Sequence, residues 1–362
     1  MCRTPRIHRH DLLKHAHRPV LHRVWYAPSD LASLGGGSQI LEALVYRLRT
    51  LDIEDDPYVK KLKKSPCDGM ELQNVRLKGK TYCSEQLKKF VVRSCHILEE
   101  LGGWAADYFI HTSIQQLKVA FGDSSLPGDL DWDDEEKAYM VEILSQIPKP
   151  NLQVHFADPA DMPIAPKLES LIAFLGHRYD SDFSGIVFAK QRATVGVMAK
   201  VLSVHPLTKD RFRCAAYVGW SNSSYRKDIL GELLSMHMQR DTLDDFRSGR
   251  NNLIIATDVL EEGIDVSACG LVVCYDKPAN LKSFIQRRGR ARQIQSTYTI
   301  MFATNDDSPD IRRWKDLERA MVQAYQDDQR QLQEVCNLEE EVEDVAGRFV
   351  VDSTRYGYPS TD

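Results

Sequence analysis

The 362 residues contain no run of about 18 apolar residues, which excludes a membrane-spanning helix. The N-terminal stretch Met1-Cys-Arg-Thr-Pro-Arg-Ile-His-Arg-His has no apolar core, so a secretory leader is not expected. Eight cysteines, at 2, 67, 83, 95, 214, 269, 274 and 336, include no Cys-x-x-Cys pair. That argues against a zinc ribbon or a dithiol redox motif, and for free buried thiols in a reducing compartment. Nor is there a surplus of one charge. Forty-seven basic against 52 acidic residues leave a net charge of −5, so any nucleic-acid footprint has to be a local patch. What remains, 43% hydrophobic and 27% charged, is an ordinary globular composition with length enough for two or three domains.

Two further absences matter. Gly79-Lys80-Thr81 ends like a phosphate-binding loop, but the glycine required five positions earlier is Asn74, and Glu71–Leu77 is not an apolar strand. Asp133-Asp-Glu-Glu136 resembles a magnesium-binding acidic motif, but Pro127-Gly-Asp-Leu-Asp-Trp132 before it is no strand that could aim carboxylates at a metal. It reads as part of a solvated acidic loop, Asp123 to Glu136, with seven carboxylates in fourteen residues. His8, His10, His15, His17 and His22 lack metal-ligand spacing. The chain is thus expected to hold neither a phosphate loop nor metal ligands.

Along the chain, residues 1–23 are basic, and Pro19–Ala27 reads as a short strand before the Gly-rich link Ser33–Ser38. From 38 to about 147 apolar residues recur at three and four, as in Leu87, Phe90, Val91, Ile97, Leu98 and Leu101, which predicts helices forming a lobe of their own. From about 165 the texture changes. Short apolar strands at Gly185–Ala189, Arg213–Gly219, Asn252–Thr257, Gly270–Asp276 and Ser296–Phe302 alternate with helices at 191–204, 225–248 and 280–288. This alternation predicts an α/β fold with a parallel sheet covered on both faces. Residues 308–345 are again helical and charged.

Two segments carry chemistry. Ile254-Ile-Ala-Thr-Asp-Val-Leu-Glu-Glu-Gly-Ile-Asp-Val266 is an apolar strand running into an acidic turn. Ser283-Phe-Ile-Gln-Arg-Arg-Gly-Arg-Ala-Arg-Gln293 sets Gln286, Arg288, Arg290 and Arg292 at alternate positions around Gly289. In this order and at this spacing they resemble motifs V and VI of superfamily 2 helicases, and Gly185-Ile-Val-Phe-Ala-Lys-Gln-Arg192 resembles motif IV. The forms Glu-Glu-Gly-Ile-Asp and Gln-Arg-Arg-Gly-Arg-Ala-Arg are similar to the branch that handles double-stranded RNA. A helical block between the first strand and motif IV also resembles that branch. Leu101-Gly-Gly-Trp-Ala-Ala-Asp-Tyr-Phe-Ile110 resembles fungal Dicer-like proteins.

The resemblance covers about residues 1–354 and implies a RecA-like second helicase lobe interrupted by a helical insertion. Residues 1–37 would leave the first helicase lobe and supply the first strand, 38–150 form the insertion, and 151–307 form the lobe with motifs IV to VI. Residues 308–346 would form a helical pincer, and 347–362 the start of the Dicer dimerisation domain. Arg290 and Arg292 would meet the γ-phosphate of ATP as catalytic arginines; Gly263, Asp265, Gln286 and Arg288 would complete the nucleotide side. Thr257 would contact an RNA phosphate. Lys190 and Gly219 lie where loops follow strands, and an RNA contact or an ordinary loop role suits either. The family's first RecA-like lobe supplies the phosphate loop and magnesium carboxylates, so ATP would be shared with that lobe. It and the ribonuclease III domains have no counterpart here, and the chain is expected to be inactive alone, as a fragment, truncated product or split gene. The implied partners are double-stranded RNA and the rest of a Dicer-like protein; the implied role is RNA interference, gene silencing and antiviral defence, in the cytoplasm or nucleus. Two alternatives remain open: a non-catalytic module binding RNA or a partner protein, and a remnant of a DNA fork helicase.

Overall fold

The computed structural model describes residues 19–29, 38–65, 68–122, 132–150, 152, 155–219, 239–261, 269–293, 295–306, 312, 314–316 and 319. Six strands, β1 (Val20–Tyr26), β2 (Gly185–Phe188), β3 (Cys214–Tyr217), β4 (Leu253–Ala256), β5 (Leu271–Cys274) and β6 (Thr297–Ala303), form one sheet in the order β1-β6-β5-β2-β4-β3. Every pairing is parallel. β2, β4 and β5 are four-residue apolar runs with every residue buried, as strands covered on both faces must be. Each strand expected from the sequence is present, shifted by a residue or two. This is the sheet of a RecA-like lobe.

Between β1 and β2 lie helices α1 (Gln39–Arg49), α2 (Pro57–Lys64), α3 (Gly69–Lys78), α4 (Tyr82–Leu101), α5 (Gly103–Gly122), α6 (Asp134–Ser145) and α7 (Pro166–Arg178). α8 (Arg192–Val204) follows β2, α9 (Gln239–Arg247) precedes β4, and α10 (Leu281–Arg288) precedes β6. Both misleading motifs are helix ends. Gly79 closes α3 in the left-handed conformation at φ 59°, which a glycine adopts without strain, and Thr81 opens α4 with a capping box to Ser84. Asp133 and Glu136 form the capping box of α6, so Asp134–Glu136 begin a helix and are not loop. The D-x-x-E spacing was the available signal.

The helical block does not enclose a core of its own. Leu87, Phe90, Phe109 and Ile110 of α4 and α5 belong to one continuous apolar core with Leu171 of α7, Val197 and Val201 of α8, and Ile255 and Val273 of the sheet. The expected separate lobe is therefore corrected. Amphipathic stripes show that a helix buries one face, not whether another helix or the layer over a sheet covers it. A small separate cluster, Val59, Leu62 and Val75, joins α2 to α3.

The chain divides into two compact units, Met1–Lys277 with Gln286–Thr304, and Pro278–Ile285 with Asn305–Asp362. In the second, the Asn280 side chain accepts from the Ser283 amide, and the Phe284 and Trp314 rings lie 5.7 Å apart. Residues 312, 314–316 and 319 are helical. Most of the segment 308–346, all of 347–362, the basic residues 1–18, and the expected helix 225–248 before residue 239 lie outside the described residues.

Candidate functional site

Motifs V and VI are the connections β4→β5 and β5→β6. Glu261, directly after the short turn Asp258–Leu260 that follows Thr257, joins them. Its carboxylate accepts from Arg287 Nε at 2.6 Å, and its carbonyl accepts from Arg290 Nη2 at 2.9 Å. Arg287 also donates to the Asp276 carbonyl at 3.1 Å and lies over the Phe188 ring of β2, 5.0 Å from its centroid. The Arg287 and Glu261 side chains are only 6% and 9% exposed. A pair so withdrawn from water needs further partners, and the Asp276 carbonyl and the Phe188 ring supply two. Arg287 thus pins motif VI to motif V beneath the sheet edge. Sequence reasoning did not separate it from its neighbours, since four arginines within six residues carry no sign of which one is buried.

The other cations differ in access. Arg290 is 8% exposed. Arg288 and Gln286 are half-buried and Arg292 is exposed. Arg292 Nε donates to the Gly289 carbonyl at 2.9 Å, and its amide donates to the Cys269 carbonyl at 3.2 Å. Guanidinium groups are donors only and match phosphate oxygens in geometry and charge. Arg288 and Arg292 therefore fit a nucleotide's phosphates in chemistry and access. Arg290 has one terminal nitrogen engaged by Glu261. Gly263 and Asp265 lie outside the described residues. Among the described residues, no group of three His, Cys, Asp or Glu is placed to hold a metal ion.

On the side expected to face RNA, Thr257 follows β4, 4% exposed, and its amide donates to the Tyr217 carbonyl at 3.2 Å. Lys190 is exposed, with its amide donating to Asp276 Oδ2 at 2.7 Å. Gly219 sits where any Cβ would come within 3.1 Å of Val259 Cγ2, so close packing of β3 on the turn after β4 favours glycine there. Its neighbour Trp220 lies outside the described residues. All three follow the carboxyl ends of parallel strands, the edge at which such sheets receive ligands. The thiols at the two ends of β5, Cys269 before it and Cys274 closing it, are buried. Burial pushes the Cys269 thiol up to about 12, so it is inert at neutral pH.

One cluster was invisible to motif reading. Lys167, 5% exposed at the start of α7, donates to Glu100 Oε2 of α4 at 2.6 Å and to Asp276 Oδ1 at 2.8 Å. Burial would raise the Asp276 carboxyl, but the Lys167 ammonium and the hydrogen bonds hold it below the usual carboxylate range. Burial would likewise lower Lys167, and its two carboxylates outweigh that and raise it.

Residues 166–295 match the family described as "Helicase conserved C-terminal domain". Over 98% of its length the chain is similar to Dicer-like protein 2 of Neosartorya fischeri, 59% identical over 354 residues, and to that of Aspergillus fumigatus, 60% identical over 354. Dicer-like protein 2 of Aspergillus terreus is 57% identical over 358 residues. The chain spans about a quarter of the length of each, 25%, 25% and 26%. With a RecA-like sheet, helices inserted after its first strand and a match to the helicase conserved C-terminal domain, the chain is similar, over nearly its whole length, to about a quarter of the length of these fungal Dicer-like proteins.

Proposed function

We propose that this segment is the second half of an ATP-dependent motor on double-stranded RNA, working in a Dicer-like protein that makes small interfering RNAs for gene silencing and antiviral defence. The observation that carries the reading is the Glu261 clamp. It fixes Arg287 and Arg290 and thereby sets the segment from which Arg292 projects into solvent. A fixed guanidinium aimed at phosphate costs no reorganisation when charge develops, the condition under which such groups accelerate phosphoryl transfer.

In this reading residues 1–37 lead from the first lobe into β1, 38–150 are the insertion, 151–307 the second lobe, 308–346 the pincer and 347–362 the start of the dimerisation domain. ATP lies between this lobe and a first RecA-like lobe, which contributes the phosphate loop and magnesium ligands. On this side Arg290 and Arg292 meet the γ-phosphate, with Gly263, Asp265, Gln286 and Arg288 completing the contact. Thr257, Lys190 and the Gly219 turn follow the RNA backbone. Duplex RNA is read by shape and 2′-hydroxyls, so a few cations and amides suffice in a net acidic chain. The protein works in the cytoplasm or nucleus.

The test is duplex-RNA-stimulated ATPase of a protein that has both lobes. Arg292→Ala is expected to lower turnover by about 10³-fold, the scale of an arginine finger, and to leave RNA affinity largely intact. Equal loss of RNA affinity on substituting Arg287, Arg288, Arg290 and Arg292, with turnover surviving in the Arg290 variant, would identify a general cationic patch and refute the assignment.

A further inference from the structure

The C-terminal end of α4 is tied into the α/β layer group by group. The Glu99 carbonyl accepts from Ser29 Oγ at 2.8 Å, the Glu100 carbonyl from the Tyr275 hydroxyl at 2.6 Å, and the Leu101 carbonyl from the Ala165 amide at 3.3 Å. Helix ends leave such carbonyls without partners of their own, and here strand ends and the approach to α7 supply them. Lys167 stands in the same junction. Its ammonium touches Glu100 of the helical block and Asp276 at the end of β5, and lies 4.1 Å and 5.4 Å from the centroids of the Tyr275 and Tyr26 rings. The other oxygen of Asp276 accepts the Lys190 amide at 2.7 Å.

We propose that Lys167 is a positioning residue that sets the loop 189–191, beyond β2, from the end of helix α4. The Asp276 side chain is only 25% exposed, and a lone carboxylate in a place so withdrawn from water would carry a desolvation cost. With Lys167 beside it the carboxylate stays ionised and is a strong acceptor for the Lys190 amide. The ammonium in turn is held by Glu100. Three charge-assisted contacts in series, Glu100 to Lys167, Lys167 to Asp276 and Asp276 to the amide, therefore run from α4 to the backbone of Lys190, and a shift of α4 against the sheet changes where that amide is held. For its functional consequence, though not for the geometry, this inference rests on the proposed RNA-facing role of Lys190.

The positioning is tested by residue-resolved amide exchange on the 362-residue chain. In Lys167→Met the Lys190 amide is expected to exchange about tenfold faster or more, as loss of a hydrogen bond to a charged acceptor implies, while Ile186–Phe188 keep their rates. Asp276→Asn, which keeps the shape and loses the charge, should act in the same direction. Arg76→Ala, which removes an exposed pair with Glu54, should leave Lys190 unchanged. Unaltered Lys190 exchange in both junction variants would overturn the proposal, and so would a uniform rise across β2, which marks general loosening. Duplex-RNA affinity is the second arm. Lys190→Ala should weaken binding in the parent chain and have no further effect in the Lys167→Met background. Additive losses would break the link between Lys167 and RNA. If the Lys190 amide loosens but Lys190→Ala leaves affinity unchanged, the RNA-facing reading of Lys190 fails and the positioning stands.

Discussion

Arg287, Arg290 and Arg292 carry the same charge within six residues and sit in three environments: an ion pair sealed from water, a buried donor to a carbonyl, and an exposed guanidinium. They should fail in different ways. Arg287→Ala leaves the Glu261 carboxylate buried without its cation, a change that costs about 3–5 kcal/mol. Chemical denaturation should show that loss, with Glu261→Ala comparably harmful. Arg292→Ala removes an exposed side chain held through one nitrogen, and its unfolding midpoint should stay near that of the parent. A stability loss in Arg292→Ala as large as that in Arg287→Ala would contradict this division. The motif announced the arginines; only the fold, by bringing Glu261 and Phe188 against one of them, sorted them. In the same way nothing in the sequence could link Lys167 to Glu100 and Asp276, which lie 67 and 109 positions away.

At the scale of elements, the sheet was legible because strands buried on both faces are continuous apolar runs, and no polar residue in Gly185–Phe188 or Leu271–Cys274 blurs the signal. The helices were legible from periodicity, but their partners were not. The junction between α4 and α5 shows what that omission hides. Gly102 has φ 105°, and a Cβ there would stand 2.9 Å from Ile164 Cα and 3.0 Å from the Pro163 carbonyl oxygen. Backbone atoms cannot swing aside as a flexible side chain can. Gly102→Ala therefore combines left-handed backbone strain, roughly 1–3 kcal/mol, with displacement of the segment leading into α7. Its thermal midpoint should fall, whereas Gly69→Ala, at the start of α3 with nothing within 4 Å of the added carbon, should be tolerated. Equal midpoints for the two variants would show that the α4–α5 corner is not packed as described.

For the first compact unit as a whole, the helical block and the sheet should behave as one cooperative body, because one apolar core and one charge cluster around the buried Lys167 span both. The charge cluster gives that statement a pH signature. The folded-state pKa of Asp276 is depressed, so its contribution is present above its unfolded value of about 3.9 and is lost as pH falls through the lower folded value. Lys167 is raised, so its contribution is complete below an unfolded value of about 10.4 and is lost only as pH rises through a higher one. The stability gap between the parent and Asp276→Asn should thus hold steady from about pH 5 to 9 and narrow below about pH 4. Calorimetry near neutral pH should show this unit melting in a single transition, and Glu100→Gln should lower its midpoint without splitting it. Proteases should spare the link into α7, where Phe156, Met162 and Ala165 are 5%, 1% and 0% exposed. A helical fragment of residues 38–150 released intact, or a first transition that melts the helices while the sheet persists, would mean that the shared core is too weak to couple them. In that case α4 could move without carrying the strand ends with it.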